Sequence, residues 1–153
     1  MFGTLKRTMV PPVNRVRGQL GLAPVGGAHD IFGRAPLLVT TSSEFQDDAR
    51  LVKVALEALA EEPVAVLATL PAGDPARARA PANARVERFI PHRPVLDPAA
   101  CAVTHGGMGA TQKALAHGVP VCAVPFGRDQ LEVARRVEVA GAGTRLPARH
   151  LRR

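Results

Sequence analysis

The chain has 153 residues, of which 46% are hydrophobic, so one folded domain with an aliphatic core is expected and disorder is not. The formal net charge is +7, but the excess of Lys and Arg lies in residues 1–36 and 142–153, and the middle of the chain is nearly neutral. Charge at the two ends predicts only nonspecific affinity for nucleic acid, so we expect no nucleic-acid partner.

Cys101 and Cys122 lie in or beside apolar runs, and we expect two buried thiols. Two cysteines make neither a disulfide framework nor a metal site. The amino-terminal residues have no apolar segment of the signal-peptide kind, and no apolar run is long enough for a membrane helix. We therefore expect a cytoplasmic protein that does not insert into membranes and holds no metal.

Residues 1–35 show little regular pattern, although Val13–Leu22 has the apolar spacing of a short basic helix. We interpret residues 1–35 as a linker or the remnant of a preceding domain, and residues 36–153 as one domain.

From Pro36 onward, short apolar runs typical of strands alternate with segments of helical spacing. The predicted strands are Pro36–Thr41, Val64–Thr69, Ala84–Phe89, Cys101–Thr104, Val119–Val124 and Thr144–Leu146. The predicted helices run from Asp47 to about Glu61, over Gly107–His117 and over Asp129–Ala140. This alternation indicates an α/β fold with a Rossmann-like parallel sheet flanked by helices. The third strand has the alternating pattern of an outer position, and the fifth has the continuous apolar pattern of a buried one.

Ligands of such sheets bind at the carboxyl ends of the strands, where four unusual turns are expected to lie along one edge. These turns are residues 41–43, 89–92, 105–107 and 125–127.

The glycine-rich segment His105–Lys113 is the strongest of these signals. It follows the apolar run Cys101–Thr104 and leads into a helix, so its glycines would let a ligand approach backbone N–H groups at a helix N-terminus. That arrangement suits phosphate, although the spacing is not that of a P-loop. The alternative is a structural turn that needs glycine for a positive φ.

The run VTHGGMGATQKALAHGVPVCAVPFGRDQ at 103–130 resembles the donor-binding signature of GT-B glycosyltransferases of family 1, the UDP-glycosyltransferase superfamily that includes macrolide and other antibiotic glycosyltransferases. The matching positions are His105, Gly107, Gly109, Gly118, Val119, Pro120, Pro125, Asp129 and Gln130. Residues 38–43 and 86–92 are similar to two upstream segments of the same signature. The resemblance covers about 36–147 and implies the C-terminal half of a GT-B fold.

The resemblance implies three groups of binding residues. The diphosphate would be held by Ser42, Ser43, His105, Gly107, Met108, Gly109, Ala110 and Thr111. The base would contact Phe89, Ile90 and His92, and the sugar hydroxyls would bind Asp129 and Gln130. Three of these residues have alternatives: Phe89 as a core residue, His92 as a loop side chain and Asp129 as a helix N-cap, which is compatible with sugar binding.

Two residues depart from the family's pattern. Ala110 stands where relatives carry Ser or Thr, so only its backbone N–H is available for phosphate. Lys113 stands where many relatives carry an acid that binds the ribose hydroxyls, and a cation cannot accept those hydrogen bonds. It would approach a phosphate or be solvated on the helix.

The resemblance implies inverting transfer of a sugar from a UDP- or dTDP-sugar to a small-molecule hydroxyl, with the nucleotide sugar as co-substrate and no cofactor. The general base belongs to the family's N-terminal acceptor domain, so no catalytic residue is expected in this chain, and His29, His117 and His150 are expected at the surface. The chain also looks truncated at its C-terminal end. We therefore expect a hexosyltransferase-like donor domain that transfers poorly alone, with a separate acceptor domain or subunit as partner. The alternative is a non-catalytic remnant or partner subunit that binds nucleotide sugars.

Overall fold

The structure is a computed structural model that describes Pro24 and residues 36–42 and 49–151. Its six strands are β1 Leu37–Thr40, β2 Val66–Thr69, β3 Ala84–Glu87, β4 Cys101–Thr104, β5 Val121–Ala123 and β6 Gly143–Arg145. Its α-helices are α1 Ala49–Leu59, α2 Arg93–Leu96, α3 Met108–Ala116 and α4 Gln130–Val139, with short 3-10 turns at Pro75–Arg77 and Ala148–His150.

The six strands form one sheet in the order β3-β2-β1-β4-β5-β6, and every neighbouring pair is parallel. In β1, Val39 pairs with Ala68 on one side and with Val103 on the other. From β1 the strands follow one another outward through β2 to β3, and from β4 they follow one another in the opposite direction through β5 to β6. A doubly wound sheet of this order has its crevice at that switch point, above the carboxyl ends of β1 and β4. The predicted Rossmann-like parallel sheet is thus confirmed.

Both faces of the sheet are covered, because alternate residues of each strand point to opposite sides. Leu37 and Val39 belong to the cluster formed with α1 and with the segment that ends at Leu151. Leu38 belongs to the opposite cluster, formed with α2, α3 and α4. The helix α1 therefore lies on one face of the sheet and the other three helices lie on the opposite face.

Several predictions about the elements are confirmed: β4 has the predicted bounds, whereas β1, β2, β3 and β5 are shorter than predicted. The third strand is the edge strand β3, and the fifth is enclosed between β4 and β6. The last strand begins at Gly143 and ends at Arg145, one residue earlier than predicted at each end. The helix predicted from Gly107 begins at Met108, and Gly118, with a φ of 70°, follows its C-terminus.

The helix α2 was not predicted, because four residues that include Pro94 are too short to show a helical period. The proposed basic helix Val13–Leu22 lies outside the described residues, and so do Asp47 and Asp48, where the first helix was predicted to begin. The described part of that helix starts at Ala49.

The two cysteines are free thiols: Cys101 is buried, and Cys122 is partly buried. Burial raises the pKa of both thiols, so both are expected to stay protonated at neutral pH. None of the helices in the described ranges is both long and apolar enough to cross a membrane.

Gly143 provides a test of the contact between β5 and β6. A Cβ atom added there would collide with the backbone carbonyl of Val121, which cannot move aside as a flexible side chain could. We expect Gly143→Ala to lower the free energy of unfolding by about 1–3 kcal/mol, the usual cost of overpacking, in urea titrations.

The matched control for this substitution is Gly109→Ala, which adds the same atoms in α3 where nothing lies within 4 Å. Because alanine favours a helix over glycine, the control should unfold at the same or a higher urea concentration. Equal unfolding midpoints for the two variants would contradict the close packing of Gly143.

Candidate functional site

Buried threonine hydroxyls form the floor of the crevice at the switch point. The hydroxyl of Thr69 donates to Oγ1 of Thr40 at 2.9 Å, and the hydroxyl of Thr41 donates to the carbonyl of Thr69 at 3.3 Å. These contacts fix the carboxyl ends of β1 and β2 relative to each other. Ser42, one of the residues predicted to bind diphosphate, follows directly and is buried, whereas Ser43 lies outside the described residues.

The turn between β4 and α3 is held by a second pair of threonines. Gly106 has a φ of 82°, and its N–H donates to Oγ1 of Thr104 at 3.1 Å. The hydroxyls of Thr104 and Thr111 lie 3.4 Å apart, and the N–H of Thr111 donates to the carbonyl of Gly107. Gly106 therefore does need a positive φ, as the structural alternative proposed. Thr111 is 2% exposed, and both polar groups named here are engaged beneath the turn.

His105 lies directly against Gly107. A Cβ atom on Gly107 would collide with the imidazole ring, and Nε2 is the ring atom nearest to that position. Gly107 itself has a φ of −66°, so it is required for this close approach and not for its backbone conformation. The contact places a buried imidazole at the N-terminus of α3, on the edge of the sheet where ligands bind.

The first turn of α3 is open. The N–H groups of Met108, Gly109 and Ala110 precede the first residue that can reach an acceptor within the helix. Among the described residues, nothing lies within 4 Å of a Cβ atom added to Gly109, and Met108 is exposed. The first turn carries no acidic side chain. Donors that have no acceptor within the helix, a positive dipole end and a Cβ-free position together suit an anion.

The loop before α4 packs against this turn. A Cβ atom on Gly106 would lie 3.1 Å from the carbonyl oxygen of Gln130, so the two loops are in contact. The Gln130 side chain is 2% exposed, and its Oε1 accepts the N–H of Phe126 at 2.8 Å. This hydrogen bond stabilises the loop that carries Asp129.

Asp129 stands at the N-cap position of α4, but its carboxylate makes no capping hydrogen bond. The residue is exposed. Its neighbour Arg128 has a φ of 54°, which costs about 1 kcal/mol or more in a residue with a side chain. Residues held in such conformations cluster at functional sites, where the surrounding structure imposes the strain.

The segment predicted to contact the base follows β3. Phe89 is 76% exposed, so the alternative of a core residue is wrong. Ile90 packs against the core cluster of α2 and α3, and His92 is the residue that precedes α2. The carbonyl of His92 accepts the N–H of Leu96 at 2.8 Å, so His92 begins a helical turn and is not in an irregular loop.

The helices α2 and α3 approach each other near their C-terminal ends. Val95 and Ala114 belong to one core cluster, and Nδ1 of His117 lies 2.7 Å from a carboxylate oxygen of Asp97 beyond the C-terminal ends of the two helices. His92 precedes Asp97 by five residues, and Lys113 precedes His117 by four. Burial lowers the pKa of His92, and the nearby ammonium of Lys113 lowers it further. Both effects favour the neutral imidazole of His92.

The described residues that were predicted to form the site thus fall into two groups. The residues predicted to bind diphosphate and sugar meet where Gly106 contacts Gln130. Among the residues predicted to bind the base, Ile90 packs against the core cluster that includes residues of α2 and α3. The threonine floor was not predicted. Thr69 and Thr104 are the last residues of their predicted strands, and Thr40 is the last but one of its strand. Among the residues described, no cluster of three or more His, Cys, Asp or Glu could hold a metal ion.

A six-stranded parallel sheet of this order, flanked by helices, defines a Rossmann-like domain of the kind found in GT-B glycosyltransferases. The chain belongs to the glycosyltransferase family described as "Erythromycin biosynthesis protein CIII-like, C-terminal domain", which matches residues 53–152.

Three relatives illustrate this membership. The 4'-demethylrebeccamycin synthase of Lentzea aerocolonigenes is 44% identical over 120 residues, which are 78% of this chain and 28% of that protein. The calicheamicin glycosyltransferase CalG4 superposes with a TM-score of 0.68 at 32% identity, over 76% of this chain and 31% of CalG4. The glycosyltransferase VinC in complex with dTDP gives 0.63 at 29% identity, over 76% of this chain and 30% of VinC. The chain thus spans less than a third of each of these relatives.

The effect of the Lys113 charge on the pKa of His92 can be tested without any ligand. Replacing the ammonium by a neutral amide in Lys113→Gln should raise the pKa of His92 towards its ordinary value, since one of the two causes that lower it is removed. The change is measured by NMR titration of the imidazole Cε1 proton. Lys53→Gln removes the same charge from α1 on the opposite face of the sheet, and it should leave this pKa unchanged. A pKa of His92 that moves in both variants or in neither would contradict this effect of Lys113.

Proposed function

We propose that this chain is the donor-binding half of a glycosyltransferase and that it binds a UDP- or dTDP-sugar in the crevice above β1 and β4. The observation that carries the proposal is the open first turn of α3, with the His105 ring packed against Gly107 at the switch point. The complex of the related VinC with dTDP supports a nucleoside diphosphate as the ligand.

The diphosphate would lie at the N-terminus of α3. The N–H groups of Met108, Gly109 and Ala110 would donate to its oxygens, and His105 would add a side-chain donor beside them. Ser42 and Ser43 would approach from the loop after β1. Thr111 would contribute by supporting the turn, because its hydroxyl lies against that of Thr104.

The same donors would serve the chemistry. Negative charge develops on the diphosphate as the bond between sugar and phosphate breaks, and fixed N–H groups and a helix dipole stabilise that charge without reorganising. The proposal needs no metal ion for this step. Transfer would invert the sugar's configuration, as the acceptor hydroxyl attacks from the side opposite the leaving group.

The two ends of the donor would be held by the flanking loops. Phe89 would provide an exposed aromatic wall for the base, Ile90 its backbone groups, and His92 a neutral imidazole. The carboxylate of Asp129, which makes no capping hydrogen bond, would accept from sugar hydroxyls. For Gln130 the structure supports a role in fixing this loop, and its direct sugar contact stays a prediction.

We assign no general base in this chain. His105 would hold the leaving group, and His117 is engaged with Asp97. Activation of a small acceptor hydroxyl is proposed for a separate acceptor-binding domain or subunit. A non-catalytic protein that binds nucleotide sugars would share the same site, and the two functions differ in whether adding such an acceptor domain produces transfer.

Nucleotide binding is measured by calorimetric titration of the folded chain with UDP and with dTDP. His105→Ala should weaken binding of both by about 1–3 kcal/mol, the scale of a lost charge-assisted hydrogen bond. The control His150→Ala removes an exposed imidazole that follows β6 and should have no effect. Absence of binding by the folded wild-type chain would refute the proposal, and unchanged affinity in His105→Ala would refute the phosphate role of His105.

Gly109→Ala separates ligand binding from folding. The added methyl group meets no protein atom, so the fold should be unaffected, but it would occupy the space in which a phosphate approaches the helix. We expect nucleotide affinity to fall by about tenfold or more, equivalent to about 1.4 kcal/mol. Affinity equal to that of the wild type would place the diphosphate elsewhere.

A further inference from the structure

The turn between β4 and α3 is attached to the sheet through one buried hydroxyl, that of Thr104. Thr104 is 0% exposed, and its Oγ1 accepts the N–H of Gly106 at 3.1 Å. The backbone of Thr104 is itself fixed, because Thr104 pairs with Thr40 of β1 and its carbonyl accepts the N–H of Val124 at 2.8 Å. The hydrogen bond to Gly106 therefore joins the turn to a strand that is enclosed between β1 and β5.

Gly106 connects this anchored turn to the loop before α4. It is buried and has a φ of 82°, and a Cβ atom on it would lie 3.1 Å from the carbonyl oxygen and 3.3 Å from Cβ of Gln130. The conformation that brings Gly106 this close to Gln130 is the one in which its N–H donates to Thr104. The hydroxyl of Thr104 therefore sets the position of the turn relative to both the sheet and the loop that carries Asp129.

We propose that Thr104 is a positioning residue for the nucleotide. Because it is completely buried, it touches no ligand atom, and its hydroxyl acts by holding the turn where backbone N–H groups meet a diphosphate. This role rests on the proposed function, which places the diphosphate at the first turn of α3.

The physical reason is the cost of a buried N–H group that has no acceptor. A valine at position 104 has the shape of threonine but no oxygen, so the buried N–H of Gly106 would lose its acceptor. The turn would then move until this N–H finds another acceptor, and the donors of Met108, Gly109 and Ala110 would move with it. Fixed donors stabilise an anion well because they need no rearrangement, and that advantage would be lost.

Calorimetric titration with UDP tests this role. Thr104→Val should weaken UDP binding by about tenfold, the scale of a buried donor left without an acceptor. Thr104→Ser keeps the hydroxyl and should bind UDP within about twofold of the wild type. Hydrogen exchange of the Gly106 amide, measured by NMR, should be about tenfold or more faster in Thr104→Val and nearly unchanged in Thr104→Ser.

Gly143→Ala is the matched control, because it destabilises the fold where β6 begins beside β5, at the edge of the sheet opposite the turn. A folded sample of this variant should bind UDP like the wild type. Unchanged UDP affinity in Thr104→Val, no recovery of UDP binding in Thr104→Ser, or equal losses in Thr104→Val and Gly143→Ala would overturn the positioning role and leave the proposed function intact.

The wild-type chain offers a measurement that does not depend on whether Thr104→Val folds. Without nucleotide, the Gly106 amide should exchange slowly, because its N–H is buried and bonded. Exchange as fast as that of an unprotected peptide would overturn the role of Thr104. If the folded wild-type chain does not bind UDP, both the proposed function and the role of Thr104 fail.

Discussion

The candidate site depends on the close approach of His105 to Gly107. A Cβ atom at position 107 would collide with the imidazole ring of His105, so the ring could not lie at the start of α3. The neighbouring Gly106 makes a similar approach to Gln130, which brings the loop before α4 to the same turn. Two adjacent glycines therefore position three features relative to one another: a buried imidazole, an open helix N-terminus and the exposed carboxylate of Asp129. Without these contacts, the helix dipole would face solvent with no second group to bind a ligand.

The sheet supports this turn through strands that are buried on both faces. Leu37, Leu38 and Val39 are almost completely buried, so β1 can be short and still be held firmly between α1 on one face and α2, α3 and α4 on the other. Polar residues begin at Thr40, where the strand ends, and their hydroxyls bond across to β2. The apolar strands stabilise the fold, and the threonines that end them provide a rigid polar floor for the crevice.

Much of this arrangement could be predicted from the sequence. The apolar runs give the strands, and the spacing from His105 to Gln130 gives the order of turn, helix, strand and loop. The contacts that lie across the chain could not be predicted. The family resemblance implies that Gln130 binds sugar, and nothing in the sequence indicates that its amide oxygen accepts the N–H of Phe126 within the loop. The four residues of α2 are too few to show a helical period, and only the backbone hydrogen bonds of the structure reveal them as a helix.

The placement of charge follows from the same packing. Asp97 and His117 lie together beyond the C-terminal ends of α2 and α3. Burial lowers the pKa of His92, and the charge of Lys113 on α3 lowers it further, so a neutral imidazole is favoured at the residue that precedes α2. The first turn of α3 carries no acidic side chain, so the positive end of its dipole is not offset within the helix, and this end of α3 favours anions.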